Sequence, residues 1–458
     1  MRKILIIGGR WCKYCEELYS KAKERYRGEE IKFIDVDRFP HIADRFRFKS
    51  YPTLAILEGG LKLLEPIEDL DDIEIYLKNY VDSEVPKGLI KCVMRKGGYR
   101  LDSSLISSII SRVERKFDWT YGGLNTEYKF IPFNTLEFLI RMYLVRGVDG
   151  YLKMVHKTID IILQSSIFNY KRNMVSRMAF TYDWEEPDNV YLIEDQARFV
   201  RLLIWLYQLT GNKIYLDIGS AITKSIFKNF INPGWIRAYI DEKTIKKSPP
   251  HIIHKVISYL TDSSISMDIR RYTVNLPRYV MNIDDVIVDR GYTYLGDLTS
   301  YIEANLSLYM MFRWRKGIGN IRNALNRIDS LRYDTLYRDI DRSILEGIDN
   351  WVCIPREQNL ELMRSLLMLR NLKHIEFRND PVKMIEGFPF IEEKDPEYIS
   401  KAGLVLSLYI DGIDYIKISG YKDIPYNILQ TLKPYVGIIF EDGERYIEYI
   451  SKEYRFRL

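Results

Sequence analysis

The sequence predicts two folds in one chain: a small α/β unit at the N-terminus, followed by a much larger all-α domain of packed helical hairpins. Three observations carry this expectation. The first eighty residues alternate short apolar runs with amphipathic stretches, as strands and helices alternate in an α/β sheet. Beyond residue 100 strand-like patterns nearly vanish, and apolar helices recur in pairs. At 458 residues the chain is also too long for one ordinary compact domain.

In the first segment "KILIIGG" reads as a buried strand, and Leu18, Ala22 and Tyr26 recur at helical spacing after Trp11. "IKFIDVD" is a second strand, "HIADRFRF" a short helix, "TLAIL" a third strand, "EGG" a turn and "LKLLEPI" a fourth strand, with a closing helix from Asp69 to Tyr80. Cys12 and Cys15 therefore fall at a strand-to-helix junction. Unpaired N–H groups and the helix dipole favour a thiolate there, so Cys12 is expected to be the acidic, attacking thiol, helped by Lys13. Cys15, one turn further in, would resolve the mixed disulfide. A zinc site needs a second pair of ligands, but Cys92 and Cys353 stand alone and no His lies at finger spacing, so no metal is expected. With four cysteines and no secretory context a disulfide scaffold is not expected either, and Cys92 and Cys353 read as small buried residues. The strand and helix order resembles that of thioredoxin-like proteins. That resemblance implies a cis-proline at Pro52, in Tyr51-Pro52-Thr53, facing the cysteine pair.

After a linker from about Asp82 to Arg100, Asp102 with Ser103 and Ser104 reads as a helix N-cap, and Leu105, Ile106, Ile109, Ile110 and Val113 form one apolar face. Helix, short turn and helix then recur in residues 136–163, 197–226 and 302–328, and more loosely in 359–385. One such hairpin cannot cover both of its apolar faces, so the hairpins must stack, either as an open solenoid or as a closed ring. Periodicity does not choose between the two.

Four segments, "FDWTYGGLNTEYKF" (117–130), "DWEEPDNVYLIEDQA" (183–197), "NPGWIRAYID" (232–241) and "YLGDLTSYIEANLSLY" (294–309), come in an order that resembles the spermatogenesis-associated, thioredoxin-like family. In that family a thioredoxin-like domain precedes a six-hairpin α/α toroid of the glycosidase and sugar-epimerase type. The resemblance implies a thioredoxin-like domain over 1–81, a linker over 82–100 and a toroid over 101–458, whose central cavity opens among the loops carrying these motifs. It implies cavity residues at Asp118, Gly122, Gly123 and Lys129, next to Phe130; at Asp183 and Trp184, followed by Pro187; at Asp195, near Ala197; and at Asp241 and Asp297. The chain departs from the family where Asp188, Asn189, Val190 and Tyr191 replace a histidine, phenylalanine, glutamate and lysine, which removes expected proton-transfer groups. It also carries Ser50-Tyr51-Pro52 where the family has Gly-Gly-Trp-Pro.

Lys+Arg 68 against Asp+Glu 63 leaves a formal charge of only +5, which gives no electrostatic case for a nucleic-acid partner. No apolar run is long enough to cross a bilayer, so no membrane partner and a cytoplasmic location are expected. Abundant Ile, Lys, Arg, Glu and Tyr with scarce Gln resemble a heat-adapted composition. The leading functional expectation is a thiol–disulfide oxidoreductase using Cys12, Cys15 and Pro52, with a protein disulfide or redox partner, no cofactor, and a toroid that recognises the substrate. The alternative is a carbohydrate-active or sugar-binding toroid with an accessory N-terminal domain, and a third reading is a non-catalytic interaction protein. Sugar chemistry needs a proton donor and a carboxylate, which Asp183, Asp195, Asp241 and Asp297 could supply; the same aspartates could equally cap helices. Trp119, Trp184 and Trp235 would stack on a sugar or pack into the core. His251 and His254 share a helix face but lack a third metal ligand.

Overall fold

The computed structural model describes residues 2–9, 12–46, 51–58, 61–78, 100–241, 246–345, 349, 352–370, 372, 378, 380–390, 395–452 and 455–457. Most of the expected linker, with Cys92 in it, lies outside these residues, as do Trp11 and the side chain of Lys13. The chain forms two compact units. The first combines Met1–Met94 with Asp284–Leu295 and Ile328–Asn359; the second holds Arg95–Ile283, Gly296–Arg327 and Leu360–Leu458.

The first unit runs β1 (Lys3–Gly8), α1 (Lys13–Arg25), β2 (Glu30–Asp35), α2 (Pro40–Arg45), β3 (Thr53–Leu57), β4 (Leu61–Pro66) and α3 (Leu70–Lys78). The sheet order is β2-β1-β3-β4, with β1 parallel to β2 and antiparallel to β3. The run "ILII" explains the central place of β1, because apolar residues of both parities must be covered on both faces. Leu5 and Ile7 pack with Ile34, Ile42 and Phe46 on one face; Ile4 and Ile6 pack with Leu18, Ala22 and Ile73 on the other. The Tyr51–Pro52 bond is cis.

This unit is larger than residues 1–81, and the reason is visible in its buried charges. The Arg45 guanidinium, 1% exposed, donates from Nε to Asp339 Oδ2 at 2.6 Å and from Nη2 to Asp339 Oδ1 at 2.9 Å. The fully buried His41 ring meets Asp349 Oδ2 at 3.1 Å and the Tyr292 hydroxyl at 3.2 Å. A buried cation needs its partners, so α2 requires the two later segments.

The second unit is helical as expected: α4 (Ser103–Lys116), α5 (Phe133–Arg146), α6 (Asp149–Gln164), α7 (Ile193–Thr210), α8 (Lys213–Asn229), α9 (Pro250–Asp262) and α10 (Met267–Thr273). α11 (Ile283–Arg290) lies mostly in the first unit, and α12 (Leu295–Phe312), α13 (Lys316–Ile328), α14 (Arg356–Leu369), α15 (Pro381–Glu386) and α16 (Pro396–Ile410) follow. Asp102 caps α4 by accepting from Ser104 N at 2.9 Å, and the expected apolar face of α4 is buried.

Side-chain bonds answer the question that periodicity leaves open. Arg198 on α7 donates to Glu137 on α5 at 2.7 Å, and Arg201 on α7 reaches Asp262 on α9 at 3.5 Å. Ser258 on α9 meets Ser307 on α12 at 3.0 Å, and Thr299 on α12 donates to Glu361 on α14 at 3.3 Å. Lys401 on α16 donates to Glu361 at 2.7 Å, and Thr135 N on α5 donates to Glu397 on α16 at 2.8 Å, closing the circuit. Six helices, α5, α7, α9, α12, α14 and α16, thus form a closed ring. Early residues meet early residues, as Thr135 with Glu397, Thr299 with Glu361 and Glu194 with Lys255, and later residues meet later ones, as Arg201 with Asp262, so the helices run parallel with their N-termini at one mouth. α7 is buried nearly all round while α8 buries one face, as an inner and an outer helix should.

One expectation is corrected here. Strands do not vanish after residue 100. β5 (Tyr415–Ser419), α17 (Tyr426–Thr431), β6 (Gly437–Glu441), β7 (Tyr446–Ile450) and β8 (Arg455–Arg457) build a second sheet of order β6-β5-β7-β8. Its strand order and directions repeat those of β2-β1-β3-β4.

Candidate functional site

The residues implied by the motif loops divide into two groups. The first is a closed knot on the α4–α5 and α6–α7 loops. Asp118 accepts from Thr120 N and Tyr121 N at 2.9 Å each. Lys129, 1% exposed, donates to Asp118 Oδ2 at 2.7 Å, Leu124 O at 2.8 Å and Gly122 O at 3.0 Å. Burial pushes the Asp118 carboxyl up, but the ammonium and the two amides outweigh it and hold the group below its ordinary value. Burial also pulls the Lys129 ammonium down, with Asp118 opposing. Gly122 and Gly123 sit at φ +68° and +69°, where a Cβ would stand 2.8 Å from Thr158 Cα and 2.9 Å from Trp184 Cζ2. Trp184 is fully buried and donates from Nε1 to Tyr121 O at 2.8 Å. The structure therefore brings Asp118, Gly122, Gly123, Lys129 and Trp184 together as a satisfied structural lock, and Trp184 offers no face to a ligand.

Asp183 serves the same lock. Its Oδ1 accepts from the Thr181 hydroxyl at 2.6 Å, and that bond holds the carboxyl low. Asp188, standing where a proton-transfer histidine was expected, accepts from Arg177 Nε at 2.8 Å and from Val190 N at 3.1 Å. Asp241 is half-buried just after the Tyr239–Ile240 strand, which pairs with Tyr191–Leu192. Trp235 is half-buried, whereas Trp119 is 58% exposed.

The second group lines the ring within the first two turns of the inner helices. Asp195, half-buried in the first turn of α7, has its carboxyl pushed up to about 7 by burial and by neighbouring Glu194. Lys255 Nζ stands 3.2 Å from Glu361 Oε1 and 3.8 Å from Glu194 Oε1, spanning α9, α14 and α7. Burial raises the Glu361 carboxyl, yet Lys255 and Lys401 overcome this and hold it far below its usual range. Glu137 is likewise carried down to about 2 against burial, by Arg198 and Arg201. His251 Nδ1 lies 3.7 Å from Asp297 Oδ1, and Asp297 is 1% exposed. His254, one turn along α9, is fully buried with neither ring nitrogen hydrogen-bonded, and burial takes it down to about 4, leaving a neutral imidazole at pH 7. Towards the C-terminal ends of these helices is a cavity of ≈ 90 Å³ lined by Trp205, Ser258, Asp262, Glu303, Ser307 and Arg364.

Asp297 stands in the first turn of α12 beside His251 of α9, and Asp195 in the first turn of α7 near Arg177 and Asp188 of the preceding loop, while Glu137, Lys255, Glu303, Glu361 and Lys401 were not anticipated. Their signal was a lone charge on an otherwise apolar helix face, as Glu137 in "TLEFLIRM" and Glu303 in "YIEANL". Among the described residues no group of His, Cys, Asp or Glu is placed to hold a metal ion, and no helix is long and apolar enough to cross a membrane.

In the first unit Cys12 is the N-cap of α1 and is bonded to Cys15 in a disulfide with S–S 2.08 Å. Its Sγ accepts from Cys15 N at 3.1 Å, and Cys15 is fully buried. Cys353 is buried as expected, but it too is disulfide-bonded.

No protein-family model and no curated protein matches the chain. Among solved structures it is similar to cellobiose 2-epimerase from Bacillus thermoamylovorans, at 12% identity over 67% of this chain and 87% of that chain, with a TM-score of 0.46. It is similar to a sugar epimerase from a ruminal bacterium, at 13% identity over 68% and 87%, with a TM-score of 0.47. It is also similar to a GH76 α-mannanase from Bacteroides thetaiotaomicron, at 10% identity over 68% and 97%, with a TM-score of 0.49. These neighbours are carbohydrate epimerases and a glycosidase, not thiol–disulfide oxidoreductases, and the expected oxidoreductase and its redox partner are corrected on that finding.

Proposed function

We propose that the helical ring is a carbohydrate-active domain that holds a sugar at the N-terminal mouth of its inner helices. One observation carries the reading: carboxyls with opposite protonation share the first two turns of the ring. Asp195 keeps its proton up to about pH 7, while Glu361 stays ionised between two lysines. A group that gives up a proton near neutral pH, on the same turns of the ring as a fixed anion, meets the demand of both glycosidic cleavage and proton exchange at a sugar carbon. The His251–Asp297 pair places an imidazole 3.7 Å from a carboxyl on the neighbouring helices α9 and α12. In this reading Asp195 is the proton-carrying group, Glu361 the fixed anion, and Lys255 and Lys401 orient hydroxyls. The histidine and glutamate absent at 188 and 190 are replaced in this reading by Asp195, which the motif marks, and by Glu361, which it does not.

The N-terminal unit is read as an accessory thioredoxin-like domain, on its sheet order, on Cys12 at the head of α1 and on cis Pro52. The family resemblance and a cavity role for Asp241 belong to the same proposal, whereas the compact unit around the first sheet takes in Asp284–Leu295 and Ile328–Asn359 beyond residue 81.

Calorimetric titration with a panel of mono- and disaccharides at pH 6 tests the sugar assignment. Binding by the wild type, weakened at least tenfold in Asp195→Asn and in Glu361→Gln, is expected. Silence across the panel, or equal affinity in all three proteins, contradicts it.

A further inference from the structure

The two loops that form the lock also carry the most exposed aromatic side chains of the ring unit. Trp119 is 58% exposed, Tyr182 57%, Phe130 52%, Phe180 52% and Tyr128 47%. Ring contacts hold them locally, with Trp119 edge to face on Phe117 at 4.8 Å. Tyr121 and Tyr182 stack edge to face with centroids 5.0 Å apart, and Tyr128 meets Phe180 at 6.4 Å. The ladder pairing Lys129 with Ala179 and Phe130 with Met178 sets Tyr128 opposite Phe180 and holds Phe130 on the neighbouring rung. Beneath them the Trp184–Tyr121 and Lys129–Asp118 bonds tie the loops together. Rigid rings at the surface have already lost the rotamer freedom that binding would otherwise cost.

Contiguous exposed apolar surface of this kind marks a binding face. Its composition selects the occupant. Every large exposed apolar residue of these two loops is aromatic, with no exposed Leu, Ile or Met among them, unlike the mixed aliphatic and aromatic core of a protein interface. Flat rings with polar tips match the C–H faces and equatorial hydroxyls of pyranose units. The charged side chains near the rings are mainly acidic, Glu127, Asp183, Glu185 and Glu186, while Lys129 is sealed below and the part-exposed Arg177 is paired with Asp188, so a phosphate backbone or an anionic lipid is disfavoured. The loops precede α5 and α7, so the platform lies at the same mouth as Asp195.

We propose that this aromatic platform binds a neutral oligosaccharide chain of several units whose end enters the ring. The substrate class is then a glycan rather than a free monosaccharide or disaccharide. This inference rests on the sugar reading of the ring, and the test separates the two. A β-1,4-glucan series and an α-1,6-mannan series of two to six units are titrated into the full chain, following heat and tryptophan fluorescence. The hexasaccharide of one series is expected to bind at least tenfold more tightly than its disaccharide. The variant Trp119→Ala/Phe180→Ala/Tyr182→Ala should lose that gain and keep wild-type disaccharide affinity. Asp195→Asn should lose disaccharide binding and retain length-dependent binding of the hexasaccharide. Affinity independent of length, or a gain that survives the triple variant, overturns the platform and leaves the ring reading standing. No binding of any glycan overturns both, and concentration-dependent dimerisation abolished by the triple variant assigns the patch to a second copy and overturns the proposal. All three replaced side chains are more than half exposed, so circular dichroism of the variant should match the wild type.

Discussion

Two regions of the ring unit bury charge, and they do opposite things with it. In the loop lock, Lys129 has three acceptors within 3.0 Å and Asp118 has two amides besides, so every charge is satisfied. In the ring interior a neutral imidazole lies buried with both nitrogens unbonded at His254, and a carboxyl is pushed up to about 7 at Asp195. A fully paired buried charge makes rigid structure; an incompletely paired one keeps free energy available for a ligand. Motif residues alone do not separate these cases, because aspartates mark both regions in the sequence.

The comparison can be broken most forcefully at the lock. Lys129→Met leaves the largely buried Asp118 without its cation and is expected to cost about 3–5 kcal/mol in chemical denaturation, with disaccharide affinity of the folded fraction unchanged. A loss below about 1 kcal/mol would show that the lock is not paired as described. Gly123→Ala should cost about 1–3 kcal/mol through its left-handed backbone and the contact with Trp184.

In the interior the same kind of change should read out in binding rather than stability. Asp195→Asn is expected to abolish most sugar affinity, and its effect on stability should depend on pH with a definite sign. The native carboxyl keeps its proton up to about pH 7 while the unfolded one releases it near 4, so the wild type loses stability as pH rises between these values. The stability difference should therefore shift in favour of the Asn variant from pH 4 to 7 and stay flat above. A flat difference throughout would remove Asp195 from the account. The smallest expected effect is at His254. His254→Phe removes two unbonded polar atoms and should be neutral or stabilising by about 1 kcal/mol at pH 7. It should also abolish the destabilisation that the wild type suffers as pH falls from 6.5 to 4, because there the unfolded imidazole takes up a proton that the native one refuses.

Local order was legible in the sequence and distant convergence was not. "KILIIGG", Asp102 and the turns between hairpins announce β1, the α4 cap and the paired helices, since each depends on neighbours within a few residues. Ring closure rests on pairs such as Lys255–Glu361 and Thr135–Glu397, more than a hundred positions apart, for which periodicity holds no information. Arg45 and His41 similarly find Asp339 and Asp349 nearly three hundred residues away, which no reading of 1–81 could supply. The C-terminal sheet was overlooked because its strands, such as "YIKIS" and "YIEYI", are five residues each and sit behind long helices. Trp184 was left between two readings because a tryptophan that would stack on a sugar and one that plugs a loop look alike until burial is known, and its burial selects packing.

The central claim is that Asp195 is a proton-carrying carboxyl facing a sugar site. Carbon-13 NMR of the aspartate side chains, with Asp195→Asn to assign the signal, measures it directly across pH 3 to 9. The account predicts a titration midpoint near 7 that moves when a bound sugar is added. A midpoint near 4 that no sugar displaces would contradict it.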